Sequence, residues 1–448
     1  MYFLISLVVL LVSGVLFRIA AGSLSLRRLN MISWVFYYNL VLQSFIGAVL
    51  VMLYLGHTRV QNLLQSHQPI FLVWFSVCYV MLLLPIGMIV AQRVFRRSVH
   101  TSFLAYLKRP VESSLALSNH SVRGYLLVLS VIGILSVLYT FYISGTEPIL
   151  NIFNHSTQQL ALSRIDVTHE FSGVVYIRNI FALILVPILA YVTFIYWREN
   201  KTLVDGLWFM VMFVGAIFAL TYNLAKSPIL LFILGFFVLN ILHRGTVPWR
   251  RLAGYVIVVM GLAIVLYMVI AGVTSWQVLF SLNSGLVGRI LFSQLAGMYL
   301  SFQLFPDIHP FIGWSSMSHL IGHMLNLPYS DRVARIIMEY ANPIGVREGI
   351  AGVMNSLFIE EAWGNFGWTG LLISHLYIGA LLGVFYLFLL TRRKTPVLLG
   401  FFAYYTVHSN ITGGFNGYIY DPGFWVVVIV LAFPYFISLI FRTDVVKK

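Results

Sequence analysis

VVYIRNIFALILVPILAYVTFIYW, residues 174–197, is a 24-residue run with a single charge, Arg178, near its start. About 20 mainly apolar residues suffice for a helix to cross a bilayer, so this run reads as a membrane span. It is followed by the short polar stretch RENK and then by another apolar run. The pattern repeats along the chain, with eleven such runs near 2–17, 31–56, 70–92, 124–144, 174–197, 205–222, 228–242, 252–273, 368–390, 397–412 and 423–441. Composition agrees: 60% of the 448 residues are hydrophobic and 9% are charged, against about 25% charged in soluble domains. The expected fold is all-α, a polytopic integral membrane protein of about eleven transmembrane helices, with residues 1–448 forming a single membrane domain. The opening MYFLISLVVLLVSGVLFRIA has no basic residue before its apolar run, which argues against a cleaved signal peptide. The one cysteine, Cys78, lies in an apolar run and reads as packing.

The connections between runs divide by charge. SLRRLN, RVFRRSVH with YLKRP, WRENK, HRGTVPWRR, TRRKTP and the tail RTDVVKK fall on one side if every run spans. That side carries 20 of the 28 Lys and Arg residues and the other carries 8. The positive-inside rule then places the C-terminus in the cytoplasm and the N-terminus outside. The net charge of +14 is therefore a topology signal, and nucleic acid is not an expected partner. Ten of the 14 acidic residues fall on the outer side. Most of that charge lies in one block, 274–367, the expected large extracytoplasmic loop with amphipathic or re-entrant helices. Within it GLVGRILFSQLAGMYLSFQL, 285–304, is long enough to span. An extra span there would invert the sidedness, so a re-entrant or interfacial helix is expected.

Four outer constellations carry chemistry. Arg178 follows a polar loop with Arg164, Asp166, His169 and Glu170, and is either an interfacial anchor or an intramembrane cation serving a ligand. In TYNLAKSPILL, Lys226 stands beside a Ser–Pro helix start, which makes either a phosphate seat or an ordinary hairpin. In SDRVARIIMEYAN, Val333, Ile336, Ile337 and Tyr340 share one helical face, capped by Ser330 or Asp331, and an interfacial position is the simplest account. Its Arg332 and Arg335, with Arg347 beyond, would meet lipid head groups or a lipid-linked pyrophosphate, and burying Arg289 would be costly without an anion. In GVMNSLFIEEAWGNFGWTG, adjacent Glu360 and Glu361 point about 100° apart on a helix, so one is expected to pair with an Arg and the other to serve as a base. The outer turn HSNITGGFNGYIYDPG adds His408, Asn410, Asn416, Tyr418, Tyr420 and Asp421, groups that suit sugar hydroxyls. No zinc-ligand spacing or nucleotide loop is present, and the first outer loop HTRVQNLLQSHQP lacks Asp and Glu, so no metal or cofactor is expected.

The order of three segments resembles the Wzy-type oligosaccharide repeat-unit polymerases of bacterial O-antigen, capsule and common-antigen synthesis, a GT-C-like superfamily shared with O-antigen ligases. These are SGVVYIRNIFALILVPILAY, NLAKSPILLFILGFF and MNSLFIEEAWGNFGWTGLL, within a likeness covering roughly 120–441. Lys226 is a departure, because relatives often carry Arg there and the bidentate geometry is lost. The resemblance implies an inner-membrane glycosyltransferase of surface polysaccharide or lipopolysaccharide synthesis, acting on the periplasmic side. A glycan on undecaprenyl pyrophosphate passes to a second lipid-linked repeat unit, with a flippase and a chain-length regulator as partners. It further implies pyrophosphate contacts from Arg178, Lys226 and Arg289, then Arg332, Arg335 and Arg347. Glu360 or Glu361 would be the base, with His319 or His323 behind, and Asn365, His408, Asn410, Tyr418 and Tyr420 would contact sugar. The alternatives are a ligase, which would use a loop His such as His309, His319 or His323, and a flippase.

Overall fold

The computed structural model describes residues 1–56, 59–95, 98–112, 119–145, 171–271, 273, 275–282, 285–349, 351–409 and 411–445. Among these there is no strand, and ten helices are long and apolar enough to cross a membrane. In chain order the main helices are α1 (Tyr2–Ala21), α2 (Met31–Met52), α3 (Gln68–Val94), α4 (Val99–Lys108), α5 (Asn119–Ser144), α6 (Ile177–Asn200) and α7 (Leu203–Thr221). They continue with α8 (Lys226–Arg244), α9 (Trp249–Ala271), α10 (Leu286–Leu304), α11 (Val333–Ala341), α12 (Ile359–Thr391), α13 (Pro396–Val407) and α14 (Pro422–Val445). The protein is a multi-pass, all-α membrane protein.

One expected span is shorter than the sequence implies. The run near 397–412 folds as α13, 12 residues and so about 18 Å, because the chain leaves the helix at His408 and turns through the Gly-rich stretch that follows.

The chain forms two compact units. The first contains Met1–Leu104, Val273–Leu390 and Ser409–Asp421. Here α1 and α3 are joined by Trp74 Nε1, which donates to Ser6 Oγ at 2.9 Å, and by Gln92 Nε2, which donates to the Ala20 carbonyl at 3.1 Å. Glycines let backbones meet: Gly47 of α2 faces the Leu291 carbonyl of α10, and Gly87 of α3 faces that of Leu376 in α12. α10 also meets the connection between α2 and α3, with Phe292 against Gly56 and Gln303 bonded to Gln65 N–H and the Leu63 carbonyl.

Helix α12 is two helices joined at Gly367, whose φ of 57° and ψ of −136° are open to glycine but not to other L residues. The chain folds back there. Phe358 lies 5.4 Å from His375 ring to ring, and a Cβ on Gly370 would strike the Ala362 carbonyl. Residues 359–366 therefore run beside the first turns of the spanning arm, and Glu360 and Glu361 lie about 10 Å along the arm from the turn.

The short α11 is covered by protein. Val333 and Ile337 are fully buried, and Val333 sits on Gly364 of the hairpin. Of the four residues expected on its apolar face, Val333 and Ile337 pack inside the protein while Ile336 and Tyr340 are half-buried. The helix starts after Arg332 with no side-chain cap, so neither Ser330 nor Asp331 fills that role.

The second unit contains Ala105–Gly272, Thr391–His408 and Pro422–Lys448. Its centre is α6 between α7 and α13, with Ile188–Val192 wholly buried. The first nine residues of α6, Ile177–Leu185, are wound as a π-helix. Buried Asp205 near the start of α7 accepts from Arg123, Asn200 and Thr202.

Candidate functional site

The hairpin brings the two acidic residues into different surroundings within the first unit. Glu361 is neutralised. Its Oε1 accepts from Arg332 Nε at 2.8 Å, and its Oε2 accepts from Arg332 Nη2 at 3.1 Å and from the Asn416 N–H at 2.8 Å. A two-pronged guanidinium–carboxylate pair of this kind is strong and directional. Arg332 also donates to the Gly413 carbonyl at 3.3 Å. Burial works against its charge, but the bond to Glu361 and that residue's charge outweigh it, so Arg332 titrates above the ordinary arginine value.

The polar chain continues inward from Asn416. Asn416 Nδ2 donates to the Ser316 carbonyl at 2.9 Å, Asn365 Nδ2 donates to Asn416 Oδ1 at 3.0 Å, and Ser316 Oγ donates to Asn365 Oδ1 at 3.0 Å. All three residues are buried, and such a satisfied network holds the loop segments in one arrangement.

Glu360 is different. It is 3% exposed, it takes part in no ion pair among the described residues, and its Oε1 has no hydrogen-bond partner. The carboxylate fits only because position 297 is glycine: a Cβ there would lie 2.6 Å from Glu360 Oε1. Gln294, Gly297 and Ser301 fall on one face of α10, where Ser301 Oγ donates to the Glu360 carbonyl at 3.0 Å and Gln294 Oε1 is also buried without a partner. Leaving a buried acceptor unpaired is costly, so this site is built to receive a donor: a proton, or a ligand hydroxyl.

A cavity of about 210 Å³ adjoins the network, lined by His309, Phe311, Ser315, Tyr329 and Ser330 among others. Phe311 also covers Gly367, and Ser330 stands two residues before Arg332.

In the second unit, Arg178 is 7% exposed at the start of the π-helical turns of α6. Its Nε donates to Asn179 Oδ1 at 3.0 Å, and its guanidinium lies 4.3 Å from the Phe171 ring and 5.5 Å from that of Tyr222. Nη1 is buried without a hydrogen-bond partner. Lys226, at the start of α8, stands 4.9 Å from the Tyr267 ring.

The other expected site residues are dispersed. Arg289 is exposed, so the argument that its burial demands an anion does not apply. Arg335 spends Nη1 on the carbonyls of Ala351 (3.0 Å) and Gly352 (3.1 Å), with Nε 3.4 Å from Glu339. Arg347 is exposed and bonds the Pro343 carbonyl at 3.4 Å. His323 is exposed; the side chain of His319, all of Asn410, and Arg164, Asp166, His169 and Glu170 lie outside the described residues. His408 stacks on Tyr404 at 4.1 Å, Tyr418 donates to the Ser409 carbonyl at 2.6 Å, and Tyr420 is exposed. Among the described residues no three His, Cys, Asp or Glu gather as a metal site. Sequence reasoning missed Ser316, Gln294, Gly297 and Ser301. The only signal for the last three was their i, i+3, i+7 spacing on α10.

No protein family, curated protein or solved structure matches the chain.

Proposed function

We propose that this chain is a glycosyltransferase of the bacterial inner membrane that polymerises oligosaccharide repeat units carried on undecaprenyl pyrophosphate, with its site on the periplasmic face. The observation that carries the reading is Glu360, a buried carboxyl with an open acceptor oxygen beside a carboxylate already tied to an arginine. In this reaction an acceptor hydroxyl attacks the anomeric carbon of the donor glycan. The new C–O bond forms as the bond to the pyrophosphate oxygen breaks, the hydroxyl proton passes to Glu360 Oε1, and lipid pyrophosphate leaves. Arg332 holds Glu361 aside and so keeps the two carboxyls in distinct roles. Independently, buried Arg178 with Nη1 unpaired supports binding of a phosphate-bearing ligand. The cavity beside His309 and Tyr329 has room for a single sugar ring.

Glu360→Gln keeps shape but cannot take the proton. It should abolish the ladder of lipid-linked glycan, a loss of 100-fold or more at about 10²–10⁴ per general base, while membrane abundance stays normal. Glu361→Gln should instead lower the amount of folded protein, because Arg332 loses its partner. A full ladder from Glu360→Gln at wild-type abundance removes Glu360 as the base.

Transfer to a different lipid acceptor, the ligase reading, is favoured by His309 on the cavity wall. Purified protein given one lipid-linked repeat unit alone separates the two: a polymerase makes dimers and longer products from it, and a ligase makes none.

A further inference from the structure

At the opposite ends of three helices of the second unit, we infer, Arg198, Arg244 and Arg251 form a receptor for the phosphate of an anionic membrane lipid. This stands apart from the sugar chemistry proposed above.

Arg198 lies in the last turn of α6, Arg244 ends α8 and Arg251 lies in the first turn of α9. Two side-chain ties hold these ends together. His243 Nε2 is 2.6 Å from Glu199 Oε1, which brings the end of α8, with Arg244, against the end of α6, with Arg198. Asn240 Nδ2 donates to Tyr255 Oη at 3.0 Å, and Arg244 and Arg251 are each one turn from that bond, on the same side of it. The charges of Arg198 and Arg251 both act on Arg244.

Like charges normally swing apart at a surface, but here the ties limit that escape. The nearest acidic residue in sequence, Glu199, is engaged by His243. Arg244 and Arg251 are exposed, and Arg198 is half-buried with its guanidinium 5.7 Å from the Phe194 ring. Three forked donors on adjoining helix ends supply the charge and the planar donor geometry that suit a phosphodiester. The source is a lipid because all three positions end candidate spans, and exposed Trp197 and Trp249 stand next to them as interfacial aromatics do. Clustered basic residues next to membrane helices attract anionic lipid at about fivefold in affinity per cation.

The test is native mass spectrometry of the full chain in a neutral detergent, titrated with phosphatidylglycerol or phosphatidylcholine. The wild type should retain one phosphatidylglycerol in preference to phosphatidylcholine. Arg244→Gln should weaken it about fivefold, and the triple Gln variant should lose the preference. The triple Lys variant should recover part of it. Equal unfolding midpoints in detergent show that the variants are folded. If the triple Gln variant misfolds, Arg244→Gln alone decides. Unchanged phosphatidylglycerol binding in the Gln variants overturns the proposal, as does equal binding of the two lipids by the wild type. Full displacement of the lipid by millimolar inorganic phosphate overturns the lipid assignment.

Discussion

At the scale of single residues, two carboxyl groups one position apart stand in opposite surroundings. Two neighbouring glutamates on a helix must diverge, and Glu361 meets Arg332 while Glu360 faces Gly297. Burial was not legible, since it depends on which helices come together. Arg289, expected to need an anion if it were buried, is exposed, whereas Lys394 read only as one charge in a basic connection. Lys394 is fully buried in the second unit and donates to the carbonyls of Leu107 (3.4 Å), Arg109 (3.1 Å) and His243 (3.1 Å). Burial pushes its pKa down to about 8, with the charge of Glu199 opposing. The unfolded chain, with an ordinary lysine near 10.4, holds more protons between these values, so this residue makes stability rise as pH climbs from about 8 towards 10. The difference in unfolding midpoint between wild type and Lys394→Met, followed in detergent across that range, should widen in favour of wild type. A constant difference would show that Lys394 does not titrate there.

At the scale of elements, helices were found wherever apolar runs were long, because hydrocarbon demands that backbone groups pair within the segment. Turns inside runs were hidden. The glycines at 364, 367 and 370 announced close approach without revealing a reversal, and the reversal rests on one backbone conformation at Gly367. Gly367→Ala would place a Cβ 2.7 Å from the Phe311 ring at a φ that L residues avoid. It should cost about 1–3 kcal/mol locally and open the hairpin. Glycan synthesis should fall at least tenfold while all spans still insert. Gly261→Ala, in α9 where nothing lies within 4 Å, should change neither. Equal activity of the two variants would separate the hairpin from function.

At the scale of the molecule, the division of charge between the two sets of connections predicts which side each occupies. With Cys78→Ser as background, a cysteine replacing exposed Asp331 should react with an impermeant thiol reagent in intact spheroplasts. One replacing Arg393, whose side chain is 64% exposed, should react only after lysis. The reverse pattern would invert the topology and move Glu360 to the cytoplasmic face. The division into two units left no trace in the sequence, since each gathers segments far apart along the chain. The doubled-back arm of α12 also bears on how the protein is made. Carboxyl groups are costly to place in hydrocarbon, and this arm carries two in its first turn. It cannot be handed to the lipid as its neighbours are. Gly297 on α10 and Arg332 ahead of α11 precede it in the chain, whereas Gly413 and Asn416, which share its bonds, emerge after the spanning arm. Biosynthesis must therefore deliver nearly the whole chain before Glu361 and Arg332 gain all their partners, and a protein truncated within α13 would lack the Asn416 and Gly413 bonds of this pair.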